Sequence, residues 1–268
     1  MCGTAAAEAW PALFCTCEAC IEARKRGGKD LRSRAAYQVD DRVRVDFGPD
    51  SNLHQQKLGL DYGLVTNLLV SHSHADHWCP RELENRRDGF SKVRPGLLEV
   101  WGNTRVEERF LRDCSLGWEA LHMRFHLARP WEPIQLEQGL RATPVLAAHD
   151  PSEQCFNFLL EKEGSRVLLG HDTGWYHEEA WEFLSRAPIH LALLDCTYGA
   201  QAHDKGHLGC VDVVRARDEL HRRGALAPDA TVVATHFSHN GAWLHEDLER
   251  FFAPRGILAA YDGLRLTV

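Results

Sequence analysis

No apolar run in the 268-residue sequence approaches the roughly 18 residues needed to cross a bilayer, so no transmembrane helix is expected. The opening segment Met1-Cys2-Gly3-Thr4-Ala5 has no basic stretch followed by an apolar one. No secretory signal is visible, and a cytoplasmic location is expected. Basic charge is scarce as well: 31 Lys and Arg stand against 38 Asp and Glu, a net charge of −7. The short clusters Arg24-Lys25-Arg26 and Arg222-Arg223 read as solvated helix ends. Phosphate backbones are bound by Lys/Arg stripes, so a nucleic-acid partner is not expected. The chain has no Pro/Gly/Ser-rich linker, no low-complexity stretch and no repeat of solenoid period, and with 44% hydrophobic residues it can bury a substantial core. One domain over residues 1–268 is the expectation. A Gly-x-Ser-x-Gly nucleophile elbow is also missing.

Cysteine and histidine are what the sequence has in quantity, nine and sixteen respectively. Without a secretory signal, the cysteines read as thiols or metal ligands rather than a disulfide framework. Along the chain, Ala35 to Val39 and Arg42 to Phe47 read as paired strands across the turn Asp40-Asp41, and Val65 to Val70 as a short apolar strand. Arg81 to Arg87, Thr104 to Asp113 and Glu178 to Ser185 have helical composition. Leu140 to Ala148, Cys155 to Glu161 and Arg166 to Leu169 read as strands, with Glu163-Gly164 turning between the last two. After these come a strand at Ile189 to Leu194, a helix at Leu208 to Arg223, a strand at Thr231 to Ala234, a helix at Trp243 to Phe251 and a strand at Ile257 to Tyr261. Hairpin-rich halves that each finish in strand–helix alternation suggest two sheets packed face to face with helices outside.

Ser71-His72-Ser73-His74-Ala75-Asp76-His77 is the strongest signal in the chain. In an extended segment leaving a strand, His72 and His74 point the same way. Asp76 and His77 follow where the chain turns, and can face a second point a few ångströms off. Imidazole and carboxylate ligands suit zinc, manganese or iron. Four ligands cannot complete two metal sites, and three partners are placed at strand ends: His149, Asp172 and His236. Two divalent ions about 3.5–4 Å apart can activate a water and stabilise charge on an attacked group. A bridging hydroxide would then attack phosphorus or carbonyl carbon with no side-chain nucleophile.

The HxHxDH run followed by a distant His, Asp and His resembles the metallo-β-lactamase superfamily along essentially the whole chain. The resemblance implies an α/β fold, a four-layer αββα sandwich with the site along one edge of its two sheets. It implies that His72, His74 and His149 hold one metal, that Asp76, His77 and His236 hold the second, and that Asp172 bridges both. It also implies a histidine facing the substrate that protonates the leaving oxygen, here His207 in Lys205-Gly206-His207-Leu208-Gly209, with His203 as the local competitor. Asp76 and His207 are the expected catalytic residues. His207 is placed at a helix N-terminus, which disfavours imidazolium but offers N–H donors to a phosphate oxygen. A bound phosphate would have to offset the unfavourable dipole.

Cys15-Thr16-Cys17-Glu18-Ala19-Cys20 is a C-x-C-x-x-C run, and a tetrahedral zinc on it needs a fourth ligand from elsewhere. Together with the Gly-Thr segment, a proline and the C-terminal Thr235-His236-Phe237-Ser238-His239, it resembles the PhnP-like branch, phosphoribosyl 1,2-cyclic phosphate phosphodiesterases. There the cysteines and the second histidine hold a structural zinc, which carries over to Cys15, Cys17, Cys20 and His239 in an N-terminal zinc-binding loop. The remaining cysteines (Cys2, Cys79, Cys114, Cys155, Cys196 and Cys210) fit no ligand spacing. Asp46 and Asp195 are strand-end carboxylates that could orient ligand histidines, and His171 is read as packing. Related chains carry a strand before the Gly-Thr segment. Here only Met1 and Cys2 precede Gly3, so reduced order is expected at that edge.

The expected activity is therefore hydrolysis of a small cyclic or diester phosphate by two active-site ions (zinc or manganese, or iron), with one structural zinc. Hydrolysis of a lactone or thioester is the alternative within the same chemistry. A non-hydrolytic relative such as the cofactor-biosynthesis protein PqqB, which shares the cysteine cluster, is the alternative outside it. The expected partner is the small phosphate ester, with no membrane involvement, and the sequence is compatible with a homodimer.

Overall fold

The computed structural model describes residues 1–92 and 96–268, and its first regular element, α1 (Glu18–Arg26), starts inside the cysteine run. The expected first hairpin follows. Asp40 takes a left-handed φ of 51° and turns β1 (Tyr37–Val39) into the antiparallel β2 (Val43–Val45), Val39 opposite Val43. Beyond it the first half departs from the expected hairpins. After α2 (Ser51–Leu58), the strands β3 (Asn67–Leu69), β4 (Leu98–Gly102) and β5 (Met123–Leu127) all run parallel to β2, with α3 (Thr104–Asp113) crossing between β4 and β5. Parallel neighbours need long crossovers, and the crossovers here carry α2 and α3.

The second half opens with the expected antiparallel strands β6 (Ile134–Gln135), β7 (Arg141–Leu146), β8 (Phe156–Lys162) and β9 (Ser165–Gly170). Glu163 and Gly164 both have positive φ, 50° and 87°, the conformation that a two-residue hairpin turn demands. The chain then alternates: α4 (Glu178–Leu184), β10 (Ile189–Asp195), α5 (Cys210–Arg222), β11 (Leu226–Thr235), α6 (His245–Phe252) and β12 (Ile257–Ala259), with β9 to β12 parallel. A five-stranded sheet, β1-β2-β3-β4-β5, thus faces a seven-stranded one, β12-β11-β10-β9-β8-β7-β6.

Successive strand residues point to opposite faces, and both faces are used. Leu69 packs with Tyr37, Val45, Phe158 and Leu193 between the sheets, whereas Leu68 joins Trp78, Val100, Val106 and Phe110 on the outer side of the first sheet. Trp181 of α4, Val213 and Leu220 of α5 and Phe252 of α6 close the second sheet. Each fully buried Leu or Phe is worth roughly 1.5–3 kcal/mol relative to exposure, so these layers carry the fold. No helix among the described residues is long and apolar enough to cross a membrane.

Order at the N-terminal edge is higher than expected. The Met1 amine donates to Leu264 O at 2.6 Å, Cys2 N donates to Ala36 O at 2.8 Å, and Cys2, Gly3 and Thr4 are buried. The first backbone groups are met by the C-terminal segment and the chain before β1. The expected helix at residues 81–87 is a 3₁₀ helix, Pro80–Arg86.

Candidate metal centre

The C-terminal ends of the parallel strands converge on one edge. Asp46 follows β2, the His72–His77 loop follows β3, Asp172 follows β9, Asp195 ends β10 and His236 follows β11, while His149 lies just past β7. Asp46, Asp172 and His236 take φ of 61°, 55° and 62°. Left-handed backbone at non-glycine residues costs on the order of 1–3 kcal/mol and gathers at functional sites. Here it bends each strand end so that its side chain meets the edge. Gly48 is imposed by the same crowding, because a Cβ there would lie 1.8 Å from the Asp76 carbonyl oxygen.

Two sets of ligand atoms come together, each within 4.8 Å: His72, His74, His149 and Asp172 in one, Asp76, His77, Asp172 and His236 in the other. Asp172 is common to both. His149 Nε2 lies 3.3 Å from His74 Nδ1, and His72 Nε2 lies 3.4 Å from Asp172 Oδ2. His77 Nε2 stands 2.9 Å from Asp76 Oδ2 and 2.8 Å from Asp172 Oδ2. Yet His72 Nε2, His77 Nε2, His236 Nε2 and Asp172 Oδ1 are buried with no aligned hydrogen-bond partner. Buried polar atoms left bare cost about 1–3 kcal/mol each, so four of them around one point call for a cation.

The far side of every ring tells the same story. His77 Nδ1 donates to Asp46 Oδ2 at 2.7 Å, His72 Nδ1 to Ser71 Oγ at 3.0 Å and His149 Nδ1 to Gly206 O at 3.2 Å. His74 Nε2 donates to Asp150 Oδ2 at 3.0 Å, and His236 Nδ1 to Thr197 Oγ1 at 2.8 Å. Each backing acceptor fixes the tautomer that leaves the inward nitrogen as a lone pair, the arrangement metal-ligating histidines require. Asp150 and Thr197 were not foreseen. Asp150 is recognisable only as the acid next to His149, and Thr197 as a hydroxyl beside Asp195. Asp46 Oδ2 also accepts from His171 Nε2 at 2.8 Å, so His171 props the carboxylate rather than facing the cluster.

The electrostatics of the site are those of a carboxylate cluster that favours positive charge. Burial disfavours charge on His77, but Asp76 and Asp46 overcome it and lift its pKa well above the ordinary value. Burial holds His72 well below. Burial alone would raise Asp172, yet His236 and His77 hold its carboxyl well below the usual range. Cations entering the site would take over the charge that the His77 proton supplies, and their binding would weaken as pH falls.

His207 stands beside both sets, its ring 4.9 Å from His149 and 5.8 Å from His236. Nδ1 lies 3.3 Å from Asp195 Oδ2 and 3.2 Å from Asp172 Oδ1. Burial opposes its protonation, but those two carboxylates bring its pKa up to about 9. The expected helix N-terminus is displaced, since α5 begins only at Cys210. The N–H groups of Leu208, Gly209 and Cys210 already donate to Asp195, His203 O and Gly199 O, so no phosphate rests on them. Carboxylates, not a bound phosphate, offset the cost of the imidazolium. His203 turns away and stacks on Tyr198, centroids 3.9 Å apart and planes 2° from parallel.

A family model described as the beta-lactamase superfamily domain matches residues 41–237, the span holding every side chain of both sets. The chain belongs to the beta-lactamase superfamily. No protein of curated function matches it in sequence. Among solved structures, this superfamily member is similar to a diphosphatase of the PhnP family, with 20% identity, 99% of this chain and 95% of the other covered, and a TM-score of 0.76. It is similar to zinc-bound PqqB from Methylobacterium extorquens at 17% identity, with 99% and 98% covered and a TM-score of 0.72. It is also similar to the short form of human tRNase Z at 17% identity, with 99% and 97% covered and a TM-score of 0.64. At these identities the likeness establishes the αββα metallo-β-lactamase fold.

A third cluster lies outside the superfamily match. Cys15, Cys17 and Cys20 gather with His239, their ligand atoms within 4.8 Å of one another. His239 Nδ1 is 3.6 Å from Cys15 Sγ and 3.5 Å from Cys17 Sγ. Tetrahedral zinc with bonds of roughly 2.3 Å to sulfur and 2.0–2.1 Å to nitrogen sets those atoms about 3.6 Å apart, so the set fits. The main-chain N–H groups of Cys17 and Ala12 point at Cys15 Sγ and Cys20 Sγ, as thiolates favour. Of the other cysteines, Cys196 and Cys210 touch at 3.5 Å and Cys2 accepts from Arg44, all away from the clusters.

Proposed function

We propose that this superfamily member is a dinuclear metal-dependent phosphodiesterase acting on a small cyclic or diester phosphate. The observation that carries the reading is the convergence of bare, buried ligand atoms, each ring backed by its own acceptor, beside a histidine held protonated by carboxylates. His72, His74 and His149 would hold one divalent ion and Asp76, His77 and His236 the second, with Asp172 shared. Such ions supply Lewis acidity and bring a water's pKa to near neutrality. The chain's own part is to fix the ligands, keep the edge dry on the protein side and deliver a proton. His207 Nδ1–H donates to Asp195 Oδ2, which leaves Nε2–H to meet a leaving oxygen. Water adds to phosphorus, the P–O ester bond breaks, and the departing alkoxide leaves as an alcohol with that proton. Alkoxides depart poorly without one, so a general acid favours an alkoxide-leaving substrate such as a phosphodiester over a thioester. A diphosphatase of the PhnP family shares the fold and agrees with phosphorus as the reacting atom.

A panel of substrates tests this. Metal-loaded protein should hydrolyse bis(p-nitrophenyl) phosphate or a ribose cyclic phosphate and leave β-lactams, lactones and thioesters nearly untouched. Efficient lactone or thioester cleavage without diesterase activity would overturn the substrate class.

The Cys15/Cys17/Cys20/His239 cluster is proposed as a separate structural zinc site. It pins the loop before α1 to the turn after β11, where His239 sits three residues beyond His236. Zinc contributes on the order of 10 kcal/mol to small zinc modules, and less where a large core already folds the chain. Cys17→Ser should cost about 2–3 kcal/mol, a fall of roughly 5–10 °C in Tm for a chain of this size. It should remove one zinc and spare the other two ions. Full metal content with an unchanged Tm would remove the site.

A further inference from the structure

Alternation along the segment leaving β3 sends His72 and His74 inward and turns Ser73 the other way. There Ser73 is gripped on every polar group. Its N–H donates to Glu153 Oε2 at 3.0 Å, and its hydroxyl donates to Glu153 Oε1 at 2.8 Å. Its carbonyl accepts from Arg109 Nη1 at 2.6 Å. Glu153 Oε2 also accepts from Asn103 Nδ2 at 2.7 Å, and Asn103 caps α3, the helix that carries Arg109. One short loop after β7 therefore reaches the first cluster three times, with His149 in it, with Asp150 behind His74, and with Glu153 on Ser73.

We infer that Glu153 is a positioning residue for the His72/His74/His149 cluster, a role that rests on the metal-centre reading above. Charge-assisted hydrogen bonds to a carboxylate are roughly twice as strong as neutral ones, and Glu153 makes them to the residue between two ligands. His74 needs such a hold most. Its side chain is 40% exposed, and its ring nitrogens are held by Asp150 and His149. The rings of His77 and His236 are backed instead by Asp46 and Thr197. The grip is thus specific to one of the two clusters.

The test is a titration of metal-free full-length protein with Co²⁺, followed by visible absorption and by competition with a chromophoric chelator. Wild type, Glu153→Ala, Glu153→Gln and Ser73→Ala are compared. In Glu153→Ala one of the two His/Asp ions should bind about 10–100-fold more weakly, the usual cost of losing an outer partner. Its absorption band should change, while the second ion and the Cys-bound ion keep wild-type affinity. Glu153→Gln, which retains one acceptor oxygen, should recover part of the loss. Wild-type affinity at all sites in Glu153→Ala, or equal weakening at all three with a collapsed Tm, overturns the role. Should Glu153→Ala fail to fold, Ser73→Ala decides by the same criterion: selective weakening of one ion upholds the role, and unchanged affinities overturn it. A wild-type protein that binds no pair of ions fails differently, because it removes the metal centre itself.

Discussion

Asp172→Ala is expected to lose hydrolysis by at least about a thousandfold and to bind fewer ions at the His/Asp centre. Loss of an outer-shell partner costs about 10–100-fold in metal affinity or activity, and Asp172 belongs to both sets of proposed ligands, so its removal should cost more. Five histidines lie within 3.7 Å of its carboxylate: the proposed ligands His72, His77, His149 and His236, and His207. Without that negative charge the second cluster retains a single carboxylate, Asp76, and the first cluster none. Metal analysis and turnover on bis(p-nitrophenyl) phosphate check both halves of the expectation. Wild-type turnover in the variant would reject the shared role.

His207→Ala should divide substrates by their leaving group. A general acid typically contributes 10²–10⁴-fold where the leaving oxygen needs a proton. An alkoxide-leaving ribose cyclic phosphate should slow by about that factor. A p-nitrophenolate-leaving diester should slow little, because its leaving group departs without help. Asp195 and Asp172 outweigh burial and hold the His207 pKa up to about 9, so the acid form is present at neutral pH and is lost as pH rises through that value. Ions on Asp172 would draw that limb downward. The descending limb for the alkoxide substrate should vanish in the variant. Equal losses on both substrates would reject proton donation.

The candidate site was more legible in the sequence than the sheets that hold it. His72 to His77 stand out because ligands two and five residues apart share one loop, and the distant ligands because they end apolar runs. β4 and β5 were not foreseen. In Met123–Leu127 only Met123 is buried, so an edge strand leaves no alternation to read. Of α1 only the basic end Arg24-Lys25-Arg26 was read, its start being masked by the cysteines that open it, and α2 was hidden by a largely polar sequence, Ser51–Leu58, that buries only Ser51 and His54. The carboxylates that aim the rings are harder still. Asp150 and Glu153 act through a loop, where position depends on backbone contacts with Asn103 and Ser73 rather than on any period. His207 lies beside the clusters as the sequence suggested, but the carboxylates Asp195 and Asp172, rather than a bound phosphate, sustain its charge, and they reach it only through the fold.

The proposed ligands divide between the sheets, His72, His74, Asp76 and His77 at the end of the five-stranded one, His149, Asp172 and His236 at the end of the seven-stranded one. Bound ions would therefore fasten a seam. Neither half of the chain contains a complete coordination set, so neither could capture both ions alone, and slippage of one sheet past the other would open both sets at once. Any ion that prefers the closed seam stabilises the whole sandwich in proportion to its binding, by RT ln(1 + [L]/Kd). With the proposed ions bound, the availability of metal would govern mechanical cohesion as well as chemistry.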